Sequence, residues 1–467
     1  FPAALKEFSC TLLFYSASAY EYVRSKFINC LPHPKSLRKC SEYEKKLQFG
    51  LQVDEMSIKN HVDWDDRATY ALVFMLVALN GHFKTPIAQV VTAYYLIRSL
   101  TGKERANIVN QILQILSDHE INDIRSITFD GASTNLSMIE SLGAKIRDID
   151  MEPSFDHPVT GEPIFAIPDA CHMLKLVRNV LDKFDLIDGD GNRIKWDFLV
   201  KLVERQEKEG VHLGTKITSR HINFYNEKMK VKLAAQVFIT RVADALIFLE
   251  QDLNVLEFAG ANATATFCRN INNIFDFLNS KQKFGKHEFQ KCISAENIKE
   301  LETKINDFIN YIKSLKIYDK STGTMLVLNH KKKIGFWGLI VAMKSEIKLA
   351  TFLLNKKLIS YLLTYKLSPD HLETFFSCIR RMGGFNNNPT CRQFKTAYKK
   401  LITHVNCLIS EGSNCTIQDE TKILQSGTTT NTALNVIEIE NDPEISQSFF
   451  ISLDHDYETS NSWSWNE

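Results

Sequence analysis

The chain has 467 residues, of which 44% are hydrophobic and 24% charged, and its formal net charge is +1. This composition is ordinary for a globular protein and leaves room for two or three domains. Because the longest apolar run, Ala71–Leu79, is too short to span a bilayer, we expect no membrane insertion. The ten cysteines form no Cys-x-x-Cys pair, which argues against a zinc finger and indicates a reducing, intracellular compartment. The chain begins at Phe1, and we expect it to be a fragment of a longer product.

The first 50 residues are basic and helical in pattern. The run Leu31-Pro32-His33-Pro34 divides them into two helical pieces. Two interpretations stay open for residues 1–50: a small helix-turn-helix that contacts DNA, or a helical segment that packs on the next domain.

Residues 51–200 alternate between strand and helix patterns. Strands are predicted at Leu51–Ile58, Ala71–Leu79, Ile87–Tyr95 and Ile124–Asp130. Helices are predicted at Lys103–Leu116 and from Cys171 through Leu181. This order of strands and helices predicts an α/β domain.

Residues 201–350 are helical in pattern almost throughout, with Lys-rich turns between the helices. The predicted helices are Val231–Glu250, Ala263–Asn279, Ala295–Leu315 and Leu339–Lys357. Because further helices follow in residues 351–411, we interpret residues 201–350 as an all-α domain inserted into the α/β domain.

A late amphipathic helix follows Ser368. We expect Ser368 to be its N-cap and Pro369 to occupy its first turn. Its apolar residues recur at spacings of three and four, at Leu372, Phe375, Phe376 and Ile379. Glu373 lies beside this stripe, where a carboxylate is either a surface charge or a ligand. A Gly-Gly-Phe-Asn-Asn-Asn-Pro run then ends the helix.

The C-terminal residues 412–467 have a different composition. They contain ten Asp and Glu against one Lys, so the preceding residues carry about ten more basic than acidic side chains. Rich in Ser, Thr and Asn, this acidic tail is predicted to be disordered. The basic excess elsewhere is compatible with a nucleic-acid partner.

Three acids stand out by position. Asp54 and Asp130 lie on predicted strands, and Glu373 lies on the late helix. Phosphodiester chemistry commonly uses two divalent ions, and Mg²⁺ prefers carboxylate oxygens. An order of strand acid, strand acid and helix acid is that of RNase H-like nucleases and transposases. The chain has 55 acids, so position alone does not single out these three.

The residues around these acids carry a family resemblance. The chain resembles the P-element-type DNA transposases, which include the THAP-domain transposase-like proteins of animals. The stretch from Asp370 to Phe394 is the most specific part of the resemblance. The other matching runs include Asp54-Glu55-Met56-Ser57-Ile58, Phe129-Asp130-Gly131-Ala132, Asp169-Ala170-Cys171-His172-Met173-Leu174-Lys175, Lys232-Leu233-Ala234-Ala235-Gln236 and Phe275-Asp276-Phe277-Leu278-Asn279-Ser280.

The resemblance implies an RNase H-like catalytic domain, residues 51–200 and 351–411, split by a helical insertion that binds GTP in the P-element enzyme. It implies that Asp54, Asp130 and Glu373 bind two Mg²⁺ ions. The implied activity is cleavage of DNA at transposon ends and joining of the freed 3′-hydroxyl to target DNA. A homo-oligomer acting in the nucleus is also implied.

The resemblance implies a second group of residues for GTP. Lys232 is assigned to a phosphate, Asp276 to the guanine edge, and Asp370 to the nucleotide or its Mg²⁺. The alternatives for these three are a surface lysine, an acid on a helix face and an acid at a helix start. For Cys171 and His172, which are adjacent in the sequence, we predict a buried or helix-start pair rather than a nucleophile or metal site.

The chain departs from the family in two respects. It contains neither a zinc-binding THAP domain nor a long coiled coil, so specific recognition of transposon ends stays open. Two functions are therefore considered. The first is an active metal-dependent transposase. The second is a domesticated or decayed derivative that binds DNA or a partner protein in a regulatory role, without catalysis.

Overall fold

The structure is a computed structural model. It describes residues 5, 9, 12, 17–26, 31–32, 46–59, 69–81, 83–86, 94–97, 100–147, 151–210, 215–321, 323–384, 386–403 and 422–423. Its strands are β1 (Phe49–Ser57), β2 (Tyr70–Ala78), β3 (Phe83–Pro86), β4 (Tyr94–Ile97), β5 (Ile124–Phe129), β6 (Ser154–Asp156), β7 (Pro163–Pro168), β8 (Asp185–Ile187), β9 (Arg193–Ile194), β10 (Ile293–Ser294), β11 (Lys316–Asp319), β12 (Gly323–Leu326), β13 (Tyr361–Leu362) and β14 (Lys422–Ile423).

The α-helices follow the same chain order. They are α1 (Ala17–Lys26), α2 (Gly102–Asp118), α3 (Ser133–Ser141), α4 (Ala170–Lys183), α5 (Asp197–Glu209), α6 (Ser219–Ile222), α7 (Val231–Phe238), α8 (Thr240–Ile247), α9 (Asn262–Leu278), α10 (Ile298–Ser314), α11 (Ile334–Asn355), α12 (Asp370–Met382) and α13 (Cys391–Thr403). Among the helices within the described ranges, none has both the length and the apolar character needed to cross a bilayer.

An eight-stranded mixed sheet forms the centre of the α/β part. Its order is β14-β3-β2-β1-β5-β7-β6, and β4 also pairs with β2. β1 is antiparallel to β2 but parallel to β5, and β5 is parallel to β7. The strands predicted at residues 51–58, 71–79 and 124–130 are confirmed as β1, β2 and β5, and the predicted helices of residues 103–116 and 171–181 as α2 and α4.

The strand β7 lies between two hydrophobic clusters. Along β7, Ile164 and Ala166 belong to one cluster and Phe165 and Ile167 to the other, because successive side chains of a strand point to opposite faces. The first cluster includes the apolar faces of α2, α12 and α13. The second joins α4 and α11 to the helices of residues 197–312, so the mainly helical region and α4 share one core.

The region of residues 201–350 is mainly helical, but the prediction that it is all helical is wrong. β11 and β12 form a hairpin with Gly323 at a φ of +78°. β11 also pairs with β8, which completes a four-stranded sheet in the order β12-β11-β8-β9. The partner strand β8 lies about 130 residues earlier in the chain, so helical periodicity could not reveal this pairing.

The helix predicted at Val231–Glu250 is also interrupted. α7 ends at Phe238, α8 begins at Thr240, and Ile239 between them has a ψ of 147°. Two adjacent β-branched residues, Ile239 and Thr240, favour a break there because their side chains are restricted in a helix. A π-helical turn, Phe248–Asp252, follows α8.

Three terminal or edge predictions fall partly outside the described residues. Of the predicted strand Ile87–Tyr95, residues 87–93 lie outside, and β3 and β4 flank them. Within residues 1–50, α1 is described together with the start of β1. The prediction that residues 412–467 are disordered is wrong at Lys422–Ile423, because β14 pairs with β3; the other residues of this tail lie outside the described ranges.

Candidate active site

Two of the predicted acids emerge from neighbouring parallel strands. Gln52 of β1 pairs in register with Thr128 of β5. Asp54 and Asp130 each lie two residues further along, so they reach the same edge of the sheet and share the face of Gln52 and Thr128. This register brings together two residues that are far apart in the sequence.

The same face of the sheet holds the segment that leads into α12. The side-chain amide of Gln52 donates to the carbonyl oxygens of Ser368 at 2.6 Å and Lys366 at 3.3 Å. The hydroxyl of Thr128 donates to the carbonyl oxygen of Leu367 at 2.9 Å. We call residues 366–368 the anchored segment, because side chains from both acid-bearing strands bind its backbone.

The anchored segment sets where Glu373 lies. α12 begins at Asp370, with Pro369 just before it, one residue later than the sequence predicts. Ser368 is therefore not the N-cap, although its hydroxyl accepts the Asp370 N–H at 3.3 Å. Glu373 occupies the first turn of α12, beside the face that carries Asp54. The predicted apolar stripe of α12 is buried, which holds the helix in this position.

The three acids are close enough for their charges to interact. Burial, followed by the nearby charges of Asp130 and Glu373, raises the pKa of the Asp54 carboxyl group well above its ordinary value. Asp54, Asp130 and Glu373 are all half-buried, so the group is accessible from solvent. The backbone N–H of Glu55 donates to Asp54 Oδ1 at 2.8 Å.

This donor set fits divalent cations in kind. Mg²⁺ prefers hard carboxylate oxygens as ligands. A bound cation would also relieve the repulsion between the three carboxylates. Within the described ranges, however, no group of three His, Cys, Asp or Glu side chains is arranged to hold a metal ion as it stands. The three carboxylates are therefore neighbours that do not yet converge on one point.

A fourth acid, Asp169, joins the group and was missed by the sequence analysis as a site residue. Its N–H donates to the carbonyl oxygen of Phe129 at 2.8 Å, which places it beside Asp130 at the end of the next parallel strand. Burial, with the charges of Asp370 and Glu373, raises its pKa to about 7 against the lowering effect of Lys175. An acid directly after a buried strand was the signal that could have found it.

Asp169 also caps α4. Its carboxylate accepts the backbone N–H groups of Cys171 at 2.9 Å and His172 at 3.1 Å. Burial raises the pKa of the Cys171 thiol and lowers that of the His172 imidazole. The prediction of a buried or helix-start pair is confirmed as a helix start, with Cys171 buried and His172 half-buried, although the charges of Asp130 and Glu373 also act on His172.

Comparisons with known proteins assign this chain to a family. Four family models match: "Transposable element P transposase-like, HTH domain" at residues 1–40, "TNP-like, RNase H N-terminal domain" at 65–143, "TNP-like, GTP-binding insertion domain" at 171–292 and "TNP-like, RNase H C-terminal domain" at 365–399. Together these matches cover more than half of the chain. The chain belongs to the P-element-type transposase family.

Two curated relatives belong to the same family. The chain is 29% identical to the human DNA transposase THAP9 over 451 residues, covering 86% of this chain and 48% of the relative. It is 31% identical to the Drosophila melanogaster transposable element P transposase over 265 residues, covering 53% of this chain and 32% of the relative. The chain therefore spans about half of the first relative and about a third of the second.

A solved structure shows the same fold. The Drosophila P element transposase strand transfer complex superposes with a TM-score of 0.63 at 22% identity, covering 86% of this chain and 91% of that chain. At this identity the likeness concerns the fold alone. It agrees with an RNase H-like part and an insertion between its N- and C-terminal pieces, as this transposase-family chain has in its family-model matches.

The residues assigned to GTP lie in two places. Lys232 is exposed on α7, and Asp276 is half-buried on α9. The Asp276 carboxylate accepts from the side-chain amides of Asn272 at 3.1 Å and Gln290 at 3.0 Å, and burial raises its pKa. Asp370 is buried in the first turn of α12, where its charge acts on Asp169. Asp370 thus lies close to Asp169, and the GTP assignment of all three stays a prediction.

Proposed function

We propose that the chain carries the polynucleotidyl-transferase activity of a DNA transposase, which cleaves transposon ends and joins the 3′-hydroxyl to target DNA. One observation carries this proposal. Asp54 and Asp130 each lie two residues beyond the paired Gln52 and Thr128 of adjacent parallel strands, and Gln52 and Thr128 hold the start of the Glu373 helix on the same face.

In this proposal Asp54 and Asp130 would hold two Mg²⁺ ions, and Glu373 would complete the set of protein ligands. Two such ions, when bound, activate the nucleophile and stabilise the leaving oxygen of a phosphodiester. Both hydrogen bonds described for the Asp130 side chain, from Ala132 N at 2.9 Å and Asn135 Nδ2 at 2.7 Å, go to Oδ1. We therefore assign Oδ2 of Asp130 to the metal.

Convergence of the three acids needs only a local movement in this proposal. Asp54 and Asp130 lie on a buried sheet, whereas Glu373 lies in the first turn of α12 beyond the anchored segment. A bound cation would remove the repulsion that raises the pKa of Asp54. The carboxylates would then close around it by side-chain rotation.

We further propose that DNA is the partner, that the protein acts as a homo-oligomer in the nucleus, and that the insertion binds GTP. Lys232 would contact a phosphate, Asp276 the guanine edge, and Asp370 the nucleotide or its Mg²⁺. The match to a family model described as a GTP-binding insertion domain supports the nucleotide. The strand transfer complex of the structural relative supports a DNA partner.

The test is metal-dependent nicking of supercoiled plasmid, which requires no knowledge of the terminal sequences. Asp130→Asn should abolish nicking in Mg²⁺ or Mn²⁺, because an amide cannot replace an anionic metal ligand, while the circular dichroism spectrum stays parental. Asp156→Asn, on the edge strand β6, is the matched control and should nick normally.

Two results would change this conclusion. Nicking by Asp130→Asn at the parental rate would show that the catalytic assignment is wrong. DNA binding that weakens with salt, without nicking by the parental chain in either metal, would favour the non-catalytic derivative.

A further inference from the structure

A chain of buried polar side chains connects the surroundings of Asp54 to Asp130. Arg105 Nη1 forms an ion pair with the Glu55 carboxylate and also donates to Asn135 Oδ1 at 2.9 Å. Asn135 Nδ2 in turn donates to Asp130 Oδ1 at 2.7 Å. We call Glu55, Arg105 and Asn135 the relay.

The relay reaches both strand acids. At one end the Asn135 amide binds the Asp130 carboxylate directly. At the other end Glu55 follows Asp54, and its backbone N–H donates to Asp54 Oδ1 at 2.8 Å. The side chain of Glu55 is held by Arg105, so the relay fixes the peptide that orients Asp54.

Two of the three relay residues are removed from water, whereas Glu55 is half-buried. Arg105 is 6% and Asn135 5% exposed. A buried cation is costly unless its partners compensate it, and burial raises the pKa of Glu55 while the Arg105 charge opposes that rise. These contacts therefore form one interdependent unit, in which loss of one member leaves the others unsatisfied.

The fold holds the relay rigidly. α2 begins with a capping box in which Thr101 and Glu104 satisfy each other's backbone N–H groups. A Cβ atom on Gly102 would lie 2.4 Å from Ser137 Oγ and 2.7 Å from the Met138 backbone nitrogen. Only glycine allows this approach of α2 to α3, and the approach brings Arg105 to Asn135.

We propose that Asn135 and Arg105 are positioning residues for the metal-binding carboxylates. Asn135 binds Oδ1 of Asp130 and thereby turns Oδ2 toward the metal, and Arg105 fixes both the Asn135 amide and Glu55. The relay thus sets the orientation of both Asp54 and Asp130. This inference rests on the proposed metal-dependent function.

The test measures Mn²⁺ binding to the 467-residue chain by electron paramagnetic resonance, without DNA and without an activity readout. Asn135→Ala should weaken Mn²⁺ binding by about 10–100-fold, the usual cost of losing a partner of a metal ligand. Gln206→Ala is the matched control, because Gln206 is a buried amide that binds Thr215 at 2.6 Å away from the acids. It should bind Mn²⁺ within about twofold of the parental chain.

A double-mutant cycle separates positioning from general damage. Arg105→Ala should also weaken Mn²⁺ binding. The Mn²⁺ affinity of the double variant should lie within about twofold of that of the single variant that binds Mn²⁺ more weakly. Residues that act through one chain are non-additive, whereas independent defects add. If Arg105→Ala fails to fold, Asn135→Ala and the size-matched Asn135→Leu decide the question.

The outcomes are distinguishable. Mn²⁺ affinity of folded Asn135→Ala and Asn135→Leu within twofold of the parental value, or additive effects in the cycle, would overturn the positioning role alone. A parental chain that does not bind Mn²⁺ would overturn the proposed metal-dependent function and this inference with it.

Discussion

Asp54 lies within the strand β1 and Asp130 directly follows the strand β5, whereas Lys232 and Asp276 lie on the helices α7 and α9. The carboxylates of the strand acids accept hydrogen bonds from nearby residues, but the hydrogen bonds that hold the anchored segment beside them are long-range. Gln52 and Thr128 bind backbone atoms 239 to 316 residues away in the chain. Around Asp276 they are short-range, because Asn272 and Gln290 lie within 14 residues of it.

The acid group is therefore a site that contacts between distant parts of the fold assemble, whereas Lys232 and Asp276 are positioned by local structure. The acid group depends on the sheet, the anchored segment and α12 together, so changes in any of them should affect both stability and catalysis. An exposed residue such as Lys232 can change without disturbing the fold, and its effect should appear only when a ligand is present. Four predictions follow this contrast in decreasing size.

The largest effect is expected at the base of α12. Phe375 is fully buried, and Phe375→Ala should lower the free energy of unfolding by about 3–5 kcal/mol. Urea denaturation measures this loss, and plasmid nicking should fall with it because Glu373 loses its support. Phe284→Ala, at a phenylalanine that is 83% exposed, is the control and should change neither quantity. An equal effect of the two substitutions would contradict the view that α12 packing positions the site.

The anchored segment should show the next largest effect. Thr128→Val removes a hydroxyl without changing size and leaves the buried Leu367 carbonyl unpaired, which should cost about 1–3 kcal/mol. Nicking should decrease more than it does in Thr303→Val, whose hydroxyl donates to the Lys299 carbonyl on the exposed face of α10. If the two Thr→Val variants are equally stable and active, the anchored segment does not position α12.

Asp169 should make stability depend on pH. Its folded-state pKa, about 7, lies above the unfolded value of about 3.9. The folded state therefore holds the proton more tightly, and the resulting stabilisation is present below about pH 4 and is lost as the pH rises to about 7. The loss is at most about 1.4 kcal/mol per pH unit.

Asp169→Asn keeps an N-cap side chain but removes this titration. In metal-free buffer, the parental unfolding free energy should fall relative to that of the variant between about pH 4 and 7, and the difference should level off above pH 7. Urea denaturation across this range is the measurement. A constant difference would mean that Asp169 is ionised throughout.

The smallest effect on stability is expected at Lys232. Because its side chain is exposed, Lys232→Ala should change the free energy of unfolding by no more than about 0.5 kcal/mol. Its GTP affinity, measured by calorimetry, should nevertheless fall, whereas Lys313→Ala on α10 should bind GTP normally. Parental GTP affinity in Lys232→Ala would remove Lys232 from the proposed nucleotide site.

Much of the α/β part could be predicted from local patterns. The apolar run of β2, the alternation of β1 and the spacing in α2 and α12 each reflect which side chains must leave water, and this is encoded within a dozen residues. The acids Asp54, Asp130 and Glu373 could be proposed by position and resemblance. Asp169 was missed, because only the pairing of β5 with β7 shows that it lies beside Asp130.

The β11–β12 hairpin and the relay could not be derived in the same way. The hairpin is completed by β8, and the relay joins residues from β1, α2, α3 and the loop after β5. A single hydrogen bond stabilises a protein only modestly in water. Which two groups form a hydrogen bond is therefore decided by which polar groups the packed core brings together and removes from water.

By itself the sequence determined the strands β1, β2 and β5, the helices α2 and α4 and the amphipathic face of α12, because hydrophobic periodicity is a local property, and the family resemblance of the same sequence supplied the three candidate acids. Only the tertiary structure decided that Asp54 and Asp130 stand in register, that Gln52 and Thr128 hold the anchored segment, and that Asn135 and Arg105 reach the acids. Those facts depend on strand register and on contacts between distant residues, which arise when the sheet and its two hydrophobic cores pack.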